Sequence, residues 1–304
     1  MTENAGHTNT FKGFDVSFNV SLSRYTSFRV GGPADVLAIP ERVDTLVALL
    51  KTARTARVPV TVLGGGTNTL VTDSGIRGLV IVLTGLKTTP EFAAKKDQIR
   101  LTAMAGEKLG KLCRMSAEKG YAGLEWAAGI PGTLGGAIMM NAGSHGSDMA
   151  AIVGSVDILN PDTLEINTLN AGDLNFSYRS LDLGGRIILS ATLQLTPAAA
   201  DRVKAAFETN LKAKNTSQPV SKASGGCFFK NPSPDKPAGL LIEQAGLKGT
   251  TYGGAMVSDL HANFIINHDN ADCSDITTLA ANVQERVFEK FNIKLEAEVK
   301  TIGD

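Results

Sequence analysis

The chain has 304 residues, 43% of them hydrophobic and 20% charged, with a formal net charge of zero. That length exceeds one hydrophobic core and suits two or three subdomains. The even charge balance argues against a nucleic-acid surface, and the three scattered cysteines (Cys113, Cys227, Cys273) form neither a zinc spacing nor a disulfide framework and fit a reducing compartment.

Residues 1–12 are polar and lack the charged-then-apolar order of a signal peptide. They read as a disordered tail, with loose order expected as far as residue 19. Val36–Ile39 is β-like, and Pro40 then opens a helix with Val43, Leu46, Val47, Leu50 and Ala53 at helical spacing. Pro59–Leu63, Leu79–Leu83 and Ile99–Ala103 read as strands. None of these apolar runs approaches the roughly 20 residues that span a bilayer, so a soluble, cytoplasmic protein is expected. Glu107–Gly120 reads as a helix with Leu109, Leu112, Cys113 and Ala117 on one face. Residues 123–146 are too glycine-dense for a free-standing helix. Val153–Leu159 and Leu164–Leu169, joined at Asn160–Thr163, predict a hairpin, and Ile187–Leu195 a longer strand. A helix from Pro197 carries Val203, Phe207 and Leu211, and a domain boundary is placed there. After the Gly/Pro-rich Pro219–Pro237, Ser274 is the expected N-cap of a helix with Ile276, Leu279, Val283, Val287 and Phe291 in its stripe. Ile293–Val299 alternates as a final strand.

Two glycine clusters stand out. Leu63-Gly64-Gly65-Gly66-Thr67-Asn68 leaves a strand, where successive N–H groups can converge on an anion and missing Cβ atoms let a phosphate approach. It is neither the dinucleotide fingerprint nor a P-loop, and alone it reads equally as a tight turn. Gly129-Ile130-Pro131-Gly132-Thr133-Leu134-Gly135-Gly136 is the second. Two such segments suit a bulky phosphate-bearing ligand gripped from two sides, against the alternative of packing turns.

Three further features carry chemistry. Tyr178-Arg179 offers a guanidinium for bidentate carboxylate binding. Cys227 follows Gly225-Gly226, and a thiol of ordinary pKa ~8.5 donates a proton near neutrality more readily than a hydroxyl. Cys113 and Cys273 read as small core hydrophobes. Glu296 and Glu298 share a face of the last strand, and their spacing does not choose between them. His7, His145, His261 and His268 show no metal spacing, and no metal is expected.

Together these segments resemble the UDP-N-acetylenolpyruvoylglucosamine reductase family over roughly residues 20–302. The likeness rests on Tyr25–Asp35, Leu63–Asn68 with Leu70 and Asp73, Ile130–Gly143, Ser177–Ser180, Gly226–Pro232, Ala245–Gly249, His261–Phe264 and Leu295–Val299. It implies an α+β fold: a two-subdomain FAD-binding unit of the vanillyl-alcohol-oxidase/PCMH type over 20–197 (about 20–84 and 85–197), then a C-terminal α+β substrate-binding domain over 198–304. It implies non-covalent FAD with NADPH as co-substrate, and hydride transfer through the flavin to C3 of an enolpyruvyl UDP-sugar in peptidoglycan synthesis. Gly64, Gly65, Gly66, Thr67, Asn68, Gly129, Ile130, Gly132, Thr133, Gly135 and Gly136 then bind FAD. Arg179 and Glu298 match the groups that hold and polarise the substrate carboxylate, for which Glu298 must carry or share a proton. Cys227 stands where the family usually has Ser, as the acid that protonates C2.

Tyr178 and Asn231 match substrate-contacting positions, and Gln218 is chosen for its place before Pro219. Only six residues separate Arg179 from Arg186, so the chain resembles the subtype without a long substrate-covering loop. Trp126 has no counterpart in the resemblance. A monomer is expected. An oxidase of the same superfamily is the first alternative, and the absence of histidine between His7 and His145 argues against its covalent-flavin version. A non-catalytic flavin or nucleotide-sugar binding protein is the second.

Overall fold

Ile99, Leu101 and Ala103 are buried while Gln98, Arg100 and Thr102 are exposed, the signature of a strand with one wet face. This strand, Gln98–Met104, lies inside an antiparallel sheet in the order Ile166–Asn170, Val153–Leu159, Ile187–Pro197, Gln98–Met104, Glu91–Lys95. The computed structural model describes residues 8–304. They divide into two compact units. The first comprises the described residues up to Ser17, Leu37–Gly65 and Leu79–Lys214; the second comprises Phe18–Val36, Gly66–Gly78 and Asn215–Asp304.

In the first unit the helix Leu109–Glu118 covers the inner face of the sheet with Leu109, Leu112, Cys113 and Ala117, all buried. Trp126 belongs to the same core, and its indole N–H donates to the Gly123 carbonyl at 2.9 Å. Its presence thus has a packing reason, with the polar atom satisfied locally. The helix Val43–Thr55 buries Leu46, Leu49, Leu50 and Ala53. Val60–Leu63 pairs in parallel with Leu79–Val82 and delivers the chain to the first glycines. The glycine-dense region holds a six-residue helix, Leu134–Met139. Its weak propensity is offset because Leu134, Gly135, Ala137 and Ile138 are buried and Thr133 caps it.

The second unit has a four-stranded antiparallel sheet, Ala223–Ser224, Ile265–Asn267, Ala255–Val257, Thr251–Tyr252. The helix Cys273–Phe291 packs on it through Ile276, Leu279, Val283 and Val287.

Three expectations need correction. Of the tail, residues 1–7 lie outside the described residues, but Phe11 is buried against Phe14 and Val16–Ser21 is a strand, so order begins well before residue 19. The N-cap of the long helix is Asp272, not Ser274: Asp272 accepts from the Asp275 N–H, and Asp275 returns the bond in a capping box. Ile293–Val299 is not a regular strand. It makes one antiparallel bridge, Phe229 with Ala297, and the regular strand is Lys300–Ile302, parallel to Thr69–Val71.

Asp73 explains why a short segment from the first quarter of the chain belongs to the second unit. Its carboxylate accepts from the Cys273 N–H at 2.8 Å and the Ser274 N–H at 3.1 Å, placing negative charge at the helix N-terminus. Asp73→Ala should destabilise this unit by about 1–2 kcal/mol, seen as a lower urea midpoint. An unchanged midpoint would show that Asp272 alone suffices as cap.

Candidate active site

The two glycine clusters meet backbone to backbone in the first unit. A Cβ on Gly65 would stand 3.0 Å from the Gly132 Cα, and one on Gly64 would stand 3.1 Å from the Thr133 hydroxyl. Gly65 therefore has little room for a side chain, and peptide groups with the Thr133 hydroxyl line the joint, as suits a pyrophosphate. Not every glycine there offers a donor. The Gly135 N–H is committed to the Ala105 carbonyl at 2.9 Å, and the Gly136 N–H to the capping Thr133 hydroxyl at 3.3 Å. A Cβ on Gly135 would strike the Ala105 Cβ at 2.8 Å, so this glycine shapes the loop by packing. Ile130 donates its N–H to Ala127, and Gly129 turns the chain beside Leu211 and Lys214. Gly66 sits in the second unit at φ +61°, where a Cβ would collide with the Tyr25 carbonyl, so only glycine fits. With peptide groups and the Thr133 hydroxyl at the joint and no bulky side chain in it, the residues present fit FAD.

Arg179 lies in the first unit, at the tip of a two-residue hairpin between Asn175–Ser177 and Ser180–Asp182. Its φ of +58° belongs to the left-handed region that glycine or asparagine normally takes. Its guanidinium donates to the Gly143 carbonyl at 3.1 Å and lies over the Tyr178 ring, 5.1 Å from the centroid. Tyr178 is otherwise exposed. The hairpin is anchored by Asn141, buried and itself at φ +37°. Its amide donates to the Ser177 carbonyl at 3.0 Å and to Asp148 at 3.2 Å, while its oxygen accepts from the Ala150 N–H at 3.0 Å. Residue-by-residue reading gave Asn141 no role. Its place inside Ile130–Gly143 was the available signal.

Cys227 and Glu298 lie in the second unit, on neighbouring segments. The Glu298 N–H donates to the Phe228 carbonyl and the Lys230 N–H to the Glu296 carbonyl, both at 2.8 Å. This pairing sets Glu298 opposite Phe228, one residue from Cys227. It also separates the two carboxylates: Glu296 is exposed and ion-paired with Lys230, whereas Glu298 is half-buried. Asn68, also in the second unit, donates its amide to the Glu298 carbonyl at 3.0 Å, and its backbone carbonyl accepts from the Lys300 N–H at 3.1 Å. Thr67, beside it, is half-buried.

Upstream of Cys227, a Cβ on Gly225 would lie 2.4 Å from the Phe28 ring, and Gly226 adopts φ +85°. Cys113 and Cys273 are buried, and burial pushes their thiols up to about 12 and about 11. Asp73 and Asp272 add to the Cys273 shift. Both stay protonated and inert, while Cys227 is only half-buried. Asn231 is exposed, and its oxygen accepts from the Ala238 N–H at 3.0 Å, at the start of the helix Ala238–Gln244. Gln218 lies just past the helix Ala200–Ser217. Among the described residues no His, Cys, Asp and Glu group could hold a metal, and His7 lies outside them.

A glycine joint at a strand exit, in an α+β unit with an antiparallel sheet, suits a phosphate-bearing cofactor such as FAD. The FAD binding domain family accordingly matches residues 34–168. The C-terminal domain of UDP-N-acetylenolpyruvoylglucosamine reductase matches residues 218–302. A UDP-N-acetylenolpyruvoylglucosamine reductase of Nostoc punctiforme is 47% identical over 93% of this chain and 85% of its own, and one of Syntrophus aciditrophicus is 39% identical over 95% and 92%. The crystal structure of the UDP-N-acetylenolpyruvylglucosamine reductase of Thermus caldophilus superposes with a TM-score of 0.78 at 32% identity, covering 93% of this chain and 97% of that one. This chain belongs to the UDP-N-acetylenolpyruvoylglucosamine reductase family.

The joint predicts an asymmetry between its glycines. Gly65→Ala must push backbone atoms apart, at a cost of about 1–3 kcal/mol, and should lower flavin retention after gel filtration, measured as the 450 to 280 nm absorbance ratio. Gly136→Ala, whose Cβ meets only the Thr133 hydroxyl at 3.3 Å, should retain more flavin. Equal retention by the two variants would contradict the joint as the limiting feature.

Proposed function

We propose that this chain reduces UDP-N-acetylglucosamine enolpyruvate to UDP-N-acetylmuramate, with NADPH as hydride source, as a cytoplasmic step of peptidoglycan synthesis. Bound FAD supplies a carrier that takes a hydride from NADPH and yields it to C3 of the enolpyruvyl ether. The chain's residues do the rest. Gly64–Asn68 and Gly129–Gly136 hold the cofactor. Residues 20–197 serve the flavin and 198–304 the sugar nucleotide, in a monomer, with Tyr178, Gln218 and Asn231 touching substrate.

Arg179 binds the substrate carboxylate through its planar fork, and its fixed charge stabilises the negative charge that builds at C2 and the carboxylate as C3 is reduced. Its anchorage to Gly143 and Tyr178 means that little reorganisation is needed at that moment. Glu298, carrying a shared proton, holds the other carboxylate oxygen. The Cys227 thiol gives its proton to C2, so that hydride and proton together saturate the double bond. The observation that supports this reading is the pairing of Phe228–Lys230 with Glu296–Glu298, because the Cys227 thiol and the Glu298 carboxylate then belong to adjacent segments.

The purified protein should be yellow, bleach anaerobically with NADPH and regain its colour when the enolpyruvyl UDP-sugar is added. If colour does not return, the proposed substrate is wrong. Cys227→Ser should stay active, whereas Cys227→Ala should bleach normally and stall on the sugar, losing roughly 10²-fold or more in the second half-reaction. Full turnover by the alanine variant would remove the thiol from the mechanism.

A further inference from the structure

Cys227 follows two glycines, and Gly226 has nothing within 4 Å of where its Cβ would be. On the other side Cys227 is followed by Phe228 and Phe229, whose backbone polar groups are tied to the rest of the second unit. One residue supplies three of the hydrogen bonds there. The Asn263 carbonyl accepts from the Phe228 N–H at 2.7 Å. The Asn263 side-chain oxygen accepts from the Phe229 N–H at 2.9 Å, and its amide donates to the Phe229 carbonyl at 2.8 Å. The side chain thus mimics a neighbouring strand, meeting both polar groups of one residue. The Glu298 N–H completes the frame from the opposite side, on the Phe228 carbonyl at 2.8 Å.

Asn263 is well placed to act as a fixed reference. It is 3% exposed, and its own N–H donates to the His261 Nδ1 at 3.3 Å. The turn around it closes through Phe264 N–H to the His261 carbonyl at 2.9 Å and Ser258 N–H to the Phe264 carbonyl at 2.8 Å. Asn267, by contrast, spends its side chain on the Phe28 carbonyl and the Ala271 N–H, and makes no bond to the Cys227 segment.

We infer that Asn263 is the positioning residue for the proton donor: its amide fixes Phe229 so that the Cys227 thiol is held in one place relative to the Glu298 segment. This rests on the reading of Cys227 as donor. Displacing a reacting group by about 1 Å costs on the order of 10²-fold. Loss of the amide should thus slow protonation without touching hydride uptake from NADPH.

The test is stopped-flow measurement of both half-reactions in the flavin-loaded protein. Asn263→Ala should slow flavin reoxidation by the enolpyruvyl UDP-sugar by about tenfold or more, leave flavin reduction by NADPH unchanged, and change the rate at which iodoacetamide alkylates Cys227. The near-isosteric Asn263→Asp, which keeps the acceptor and loses the donor, should slow the same step and serves if the alanine variant does not fold. Asn267→Ala should leave the ratio of the two half-reaction rates as it is. Equal slowing of both half-reactions by the Asn263 variants, or slowing of neither, overturns the inference while the donor role of Cys227 stands. Full turnover by Cys227→Ala removes the donor reading and this inference together.

Discussion

The structure of the first unit turns on a place with little room for side chains. Gly65 approaches Gly132 so closely that a single added carbon would press on backbone, and one on Gly64 would press on the Thr133 hydroxyl. Around that joint the elements are ordered by necessity. The strand Val60–Leu63 must end there, and Thr133 must cap the short helix that begins there. The bonds from Leu134 to the Glu107 carbonyl and from Gly135 to the Ala105 carbonyl must fasten the loop to the sheet. A flavin's phosphates need such a lining, since peptide N–H groups can approach an anion only where no Cβ intervenes.

Much of the fold was legible because it follows from periodicity. The hairpin at Val153–Leu159, the long strand from Ile187, and the helices at Val43–Thr55 and Leu109–Glu118 each repeat apolar residues at the spacing of the element they form. Errors came where a backbone obligation outweighed pattern. Ser274 is a good cap by type, but Asp272 offers a carboxylate in a reciprocal box, and a charged acceptor wins at a helix N-terminus. Ile293–Val299 alternates like a strand, yet its partner segment is the short, glycine-led Phe228–Lys230, which supports one bridge and no ladder. The polar start of the chain concealed Phe11 and the strand Val16–Ser21, which alternates only half-buried and exposed positions and has no buried face to stand out.

The proposed site is readable by residue type, whereas its structural support is not. Arg179, Cys227 and Glu298 belong to types that do chemistry, and motif order singled them out. What holds them is another matter. Asn141 and Asn263 act through carbonyls and N–H groups dozens of residues away, Ser177 in one case and Phe229 in the other. Nothing in composition or spacing distinguishes a buried asparagine that replaces a missing strand from one on a surface turn. The choice between Glu296 and Glu298 was similarly closed to sequence, since period-two geometry puts both on one face. The fold makes their surroundings differ, since Glu296 is ion-paired with Lys230 at the surface and Glu298 is half-buried.

The parallel pairing of Lys300–Ile302 with Thr69–Val71 has a bearing on how the molecule is made. Residues 66–78 leave the ribosome more than two hundred residues before the strand that pairs with them. During that interval Thr69–Val71 is an unpaired, largely apolar edge, and Asp73 has no helix end to cap. The first unit can assemble around this waiting segment, but the second closes only when translation reaches Ile302. Order of synthesis thus runs opposite to the order of need, and the early segment must stay soluble on its own until the late one arrives.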